Sequence, residues 1–108
     1  MTTSASETRQ AALAASVSVT EDELVIALVD GRTLAVPLAW YPRLFHGTPA
    51  ERANWQLIGR GVGVHWPFLD EDISIAHTLA GVPSGETATS LQKWLEVRRA
   101  AAQQGNAG

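Results

Sequence analysis

The sequence predicts an α+β fold: a small antiparallel sheet, made of an N-terminal β-meander plus a further strand, packed with short helices and a C-terminal amphipathic helix. Three observations carry that prediction. Asp30 and Gly31 separate two runs rich in β-forming residues, as a hairpin requires. The stretch TPAER, residues 48 to 52, sets Thr48, Pro49 and Glu51 at the N-cap, first and third positions of a helix. Near the C-terminus, SLQKWLEVRR brings Leu91, Trp94, Leu95 and Arg98 onto one helical face.

The elements follow in order. Residues 1 to 15, MTTSASETRQAALAA, are rich in Ala, Ser and Thr and carry little bulk to bury. They read as a flexible tail with a nascent helix over Glu7 to Ala15. From Val17, apolar Val17 and Val19 alternate with Ser16, Ser18 and Thr20, the period of a half-buried strand. ELVIALVDGRTLAVPL then predicts two strands joined at Asp30-Gly31 by a type I′ turn. The first of these is apolar on both faces, which suits the middle of a sheet or a position beneath a helix.

LAWYPRLFH has Leu38, Tyr41, Leu44 and Phe45 at helical spacing, with Pro42 limiting its regularity. One or two turns packed on the sheet are expected. After the TPAER helix, WQLIGRGVGVHWP returns to an extended pattern through Trp55, Leu57, Val62, Val64 and Trp66, and Gly59, Gly61 and Gly63 point to a tight turn, a bulge or close backbone approach. DEDISIAHTLAG predicts a short helix ending at Gly81. The final helix is expected to begin at a second capping box, Thr89 with Gln92, and to stop at Gly105.

The 108 residues, 45% hydrophobic and 18% charged, suit one globular domain. A chain of this length buries roughly two-thirds of its unfolded surface, so it needs no metal or disulfide to fold. It has no cysteine, which excludes thiolate metal sites and thiol chemistry within the chain. No run reaches the length of a membrane span and no basic leader precedes the first strand, so a cytoplasmic protein is expected. The net charge is −3 and the eight basic residues are scattered, a poor footprint for direct nucleic-acid binding.

HWPFLDED, residues 65 to 72, concentrates a histidine and three carboxylates. Adjacent acids point to different faces of any regular element and do not converge on one ion. Asp70 or Asp72 is therefore read as the cap of the next helix, its charge favoured by the helix dipole, with a metal or acid/base site and a protein-contact surface as the alternatives. His46, His65 and His77 lack the close spacing of zinc enzymes, no serine lies in a nucleophile elbow, and GRGVG lacks the Lys and Ser or Thr of a phosphate loop. No cofactor is implied. Of the four tryptophans, Trp55 and Trp66 read mainly as core, whereas Trp40 and Trp94 lie on amphipathic segments and divide evenly between core and interface.

Taken together, DGRTLAVPLAWYPRL, TPAERANWQLIGRGVGVHWPFLDEDISI and the following LAG resemble the domain of unknown function 2442 family of small bacterial proteins. The resemblance runs from Val17 to Gly81, about three-fifths of the chain. It implies a small α+β domain, taken as residues 16 to 82, followed by a loop and helix over 83 to 108. It carries over no catalytic residues. It also implies, for some members, an antitoxin-like role beside a small toxin-like partner. Other members are joined to helix-turn-helix DNA-binding domains, for which the single long segment after Gly81 leaves no room.

Two functions are therefore expected as alternatives. The first is a non-enzymatic protein-interaction module, antitoxin-like, that binds a toxin-like protein or itself through Trp40, Tyr41, Arg43, the acids Asp70, Glu71 and Asp72, and Trp94. The second is a small metal- or ligand-binding protein or enzyme built on His65, Asp70, Glu71 and Asp72, with Arg60.

Overall fold

The computed structural model describes residues 12–107. The two β-rich runs and the valine alternation before them form one antiparallel sheet of β1 (Ala14–Val19), β2 (Glu23–Leu28) and β3 (Thr33–Pro37), with β2 in the centre. Its two apolar faces explain that place: Leu24, Ile26 and Leu28 are buried and Val25 and Ala27 half-buried. The tail and nascent helix expected before Val17 lie mostly outside the described residues. Where that stretch is described, Ala14 and Ala15 already belong to β1. Ala14 is buried, and its N–H donates to the Gly61 carbonyl at 2.8 Å.

The turn at Asp30-Gly31 differs from the two-residue type I′ form. Leu28 N–H donates to the Arg32 carbonyl at 2.8 Å, leaving a three-residue loop in which only Gly31 has positive φ, +95°. A type I′ turn needs positive φ at both central residues. Asp30 instead uses its carboxylate to accept from the Arg32 backbone N–H and Nε, at 3.0 and 2.8 Å.

A 3-10 turn over Leu38–Trp40 leads into α1 (Pro42–Phe45), then α2 (Pro49–Ala53). Leu38, Tyr41 and Leu44 are buried, but Phe45 is turned outward and 52% exposed, because the interruption before Pro42 breaks the helical phase that would have grouped it with them. The α2 capping box forms as the sequence predicts: Thr48 Oγ1 accepts from Glu51 N–H and Glu51 Oε1 from Thr48 N–H, at 3.1 and 2.9 Å.

The further strand of the prediction becomes a second antiparallel sheet of three: β4 (Gln56–Ile58), β5 (Gly63–Trp66) and β6 (Glu71–Ser74), in that order. This corrects the reading of the acidic run. Glu71 and Asp72 are in a strand, where Glu71 and Ile73 turn inward and Asp72 faces solvent. Asp70 lies in the preceding turn at φ +51°, a conformation its short side chain tolerates. The helix that follows, α3 (Ile75–Leu79), is capped by Ser74, whose Oγ accepts from His77 N–H at 3.3 Å. Neither Asp70 nor Asp72 caps it.

The last helix, α4 (Ala88–Ala107), starts earlier than the expected Thr89-Gln92 box. Thr87 takes the capping role, its Oγ1 accepting from Ser90 N–H at 3.0 Å, and the helix continues through Gly105. Between them, the two sheets and the short helices enclose one core that includes Leu24, Ile26, Leu44, Val64, Trp66 and Leu69, with Trp40, Trp55 and Trp94 packed against it.

The junction of the sheets rests on Gly61. Its φ is +107°, and a Cβ added there would lie 2.4 Å from the Ala14 carbonyl oxygen. Both the left-handed backbone and the close approach exclude a side chain. Gly61→Ala is expected to lower stability by about 2 kcal/mol. Urea unfolding followed by circular dichroism tests this, and an unchanged midpoint would show that the β1 contact is dispensable.

Candidate functional site

Two neighbouring features gather most of the residues singled out from the sequence. The first is built on Arg43, which lies in α1 beside the buried Leu44. Its Nε and Nη2 donate to the two carboxylate oxygens of Glu86 at 2.7 and 3.1 Å. Its Nη1 donates to the Asp70 carbonyl oxygen at 3.0 Å and to Asp70 Oδ2 at 3.3 Å. The guanidinium also lies over the Trp94 ring, 5.3 Å from its centroid. The paired donors of a guanidinium fork match a carboxylate, and the weakly hydrated cation lies favourably on an aromatic face.

Glu86 is the counterpart that makes this pairing strong. Only 6% of its side chain is exposed, its carboxylate also accepts from Ser90 Oγ, and the hydrogen bonds from Arg43 hold its pKa below the usual carboxylate value. A second clamp lies along α4. Arg98 donates to both Glu51 oxygens at 3.0 and 2.9 Å and sits 4.6 Å from the Trp94 centroid, and those hydrogen bonds lower the Glu51 pKa. Trp94 is thus flanked by two guanidinium groups and bound to the domain through both.

Between α4 and the domain is an open concavity of about 490 Å³, lined by Arg43, Asp70, Ser90, Lys93, Trp94 and Val97 among others. Val97 is 68% exposed. Three of the residues expected in an interaction surface, Arg43, Asp70 and Trp94, therefore share one face although up to 51 positions separate them in sequence.

The second feature is a polar cleft of about 180 Å³ behind β6, lined by Tyr41, Glu71, Asp72, Ser74, His77 and Ser84 among others. Glu71 is 8% exposed. Burial pushes its pKa up to about 7, Arg43 opposes that rise, and Glu86, Asp72 and Asp70 add to it. Tyr41, 3% exposed, hydrogen bonds through its hydroxyl to Thr78 Oγ1 at 2.8 Å, and its burial raises its own pKa.

The remaining residues fall elsewhere. His65 is paired across the strands with Asp72, Nδ1 to Oδ1. Trp40 is half-buried against the core, and its carbonyl accepts from Ser84 N–H at 3.0 Å. Arg60 is in the turn between β4 and β5, at the end of the sheet away from the Trp66–Glu71 pair. The four residues of the second expected function thus point three ways: Asp70 to Arg43, His65 and Asp72 to each other, and Glu71 inward. Among the described residues no three His, Cys, Asp or Glu side chains are grouped so as to hold a metal ion.

Glu86, Ser90 and Glu51 are absent from the residues read as a site. Glu86 carries no local signal, because its partner is 43 positions away and Ser84 to Ala88 reads only as a polar loop. Glu71 did carry one: Ile73 and Ile75 alternating with Asp72 and Ser74 form a strand pattern whose inward face extends back to Glu71.

Comparison with known proteins adds a fold and a family description. A family described as "Protein of unknown function (DUF2442)" matches residues 14–84. A crystal structure of a protein of unknown function from Rhodospirillum rubrum is similar, with 24% sequence identity and a TM-score of 0.62 over 71% of this chain and 95% of that one. A solution NMR structure of an uncharacterized protein from Chromobacterium violaceum is also similar, at 23% identity and a TM-score of 0.59, over 75% of this chain and 74% of its own. No curated protein matches the chain.

Proposed function

The chain belongs to the DUF2442 family, and from that premise we propose that it is a non-enzymatic protein-interaction module that binds a partner protein in the concavity between α4 and the domain. The observation that carries this reading is the composition of that face. A tryptophan flanked by arginines, with exposed Val97 and the opposite charges of Asp70 and Lys93 beside it, matches the anchors that dominate protein interfaces. The arginines are already held by Glu86 and Glu51, so the face is preorganised and binding costs little side-chain ordering. The antitoxin-like habit implied by the family resemblance makes a small toxin-like protein the partner to seek first.

A tagged pulldown at low salt, with stoichiometry read by mass spectrometry, tests the reading. A near-equimolar protein is expected with the parent and lost with Val97→Asp or Lys93→Glu, two changes at exposed positions that are expected to keep the fold, which circular dichroism checks. Recovery of the protein alone, or equal recovery with both variants, would overturn it.

A further inference from the structure

The polar cleft behind β6 presents one kind of hydrogen-bonding group at its floor. Thr78 Oγ1 donates its single proton to the Ser74 carbonyl at 3.0 Å. In its 2.8 Å contact with Tyr41 it must therefore accept, so Tyr41 is the donor there. Only the acceptor lone pairs of the Tyr41 hydroxyl remain to face the cleft.

Glu71 adds carboxylate oxygens, also acceptors, whereas the Asp72 carboxylate lies on the other face of β6 with His65. Glu71 is more than nine-tenths buried. Its raised pKa arises from burial and neighbouring charges, with no hydrogen bond to the carboxyl among the contributions. No fully enclosed side-chain oxygen among the described residues lacks a partner, so the unbonded Glu71 oxygens are those that open on the cleft. The Ser74 and Ser84 hydroxyls and the His77 ring can serve either way and do not decide the sign. Around the cleft, Asp70, Glu71, Asp72 and Glu86 outnumber Arg43, which is committed to Glu86 and Asp70.

A buried carboxyl facing acceptors in a negative setting calls for a ligand that brings both donors and positive charge. We infer that this cleft binds a primary ammonium group, with the Glu71 carboxylate as its counter-ion and Tyr41 Oη as a further acceptor. An ammonium has three donors, which match the two Glu71 oxygens and Tyr41 Oη. At about 180 Å³ the cleft has room for the head group and a few carbons, since water occupies about 30 Å³ per molecule in the liquid. A free amine and a lysine side chain carry the same head group. The inference is independent of the partner reading, because the cleft lies behind β6 and shares neither Trp94 nor Val97 with the concavity.

The test is a titration of the full chain at pH 8, where Glu71 is ionised and the amines are still charged, followed by amide chemical shifts, with n-butylammonium, Nα-acetyl-lysine methylamide and uncharged 1-butanol. Saturable shifts at Tyr41, Glu71 and Ser74 are expected with n-butylammonium, and binding at least about tenfold weaker is expected in Glu71→Gln, which loses a charge-assisted contact. Saturation by the lysine derivative as well marks a side chain as an admissible source; saturation by n-butylammonium alone restricts the site to free amines. Because the Gln variant removes a buried charge without changing shape, it should fold at least as well as the parent, and its spectrum verifies that. No saturable shift with either cation, equal shifts with 1-butanol, or unchanged binding in Glu71→Gln would each overturn the inference.

Discussion

Arg43→Ala is expected to detach the C-terminal helix from the domain and to lower the unfolding free energy by about 3 kcal/mol. Removing one partner of a largely buried ion pair leaves the other charged and unsolvated, at a cost of about 3 to 5 kcal/mol. The lower end applies because 16% of the Arg43 side chain remains exposed, against 6% for Glu86. Three contacts fail together: the fork on Glu86, the bonds to Asp70, and the cation over Trp94. Arg43→Lys should recover only part of the loss, because an ammonium cannot engage both Glu86 oxygens with a rigid fork. Guanidinium unfolding measures the change, and protease accessibility of residues 83 to 99 reports the detachment. A variant as stable and as protected as the parent would show that Arg98–Glu51 alone holds the helix.

Glu71→Gln is expected to raise stability by about 3 kcal/mol at pH 8 and to change it little near pH 4. In the folded protein the carboxyl keeps its proton up to about pH 7, whereas the unfolded chain releases it near 4.5. Between these values the unfolded state binds fewer protons, so a rise in pH favours unfolding. The stabilisation from proton uptake is fully present below pH 4.5 and is lost as pH rises through 7. A difference of about 2.5 in pKa corresponds to about 3 kcal/mol. Glu51 and Glu86 act in the opposite sense: their pKa values are lowered on folding, so their contribution is present above the ordinary carboxylate range and lost as pH falls. Urea midpoints from pH 4 to 8 should decline for the parent in the upper part of that range and stay flatter for the variant. Parallel profiles would mean that Glu71 is solvated like a surface acid.

Most local elements were legible because their signals lie within a few residues. The capping box of α2 needs only Thr48 to Glu51, and the central place of β2 follows from its own alternation. The acidic run misled for an equally local reason: Asp70 and Asp72 satisfy the composition of a helix cap, yet Ser74, nearer the helix, supplies it. Once Ile73 enters the core, the two-residue period of a strand carries Glu71 inward with it.

By itself the sequence determined the class of fold, the meander of the first sheet, the family and the helical face of Leu91, Trp94, Leu95 and Arg98, since each depends on periodicity or on contacts between near neighbours. Only the tertiary structure decided that Glu86 meets Arg43, that Glu51 meets Arg98, and that Glu71 is buried while the acids beside it are exposed. Those pairings span 43 and 47 positions. The energy of a charge depends on what surrounds it in space, and no pattern along the chain records which distant residues will do so.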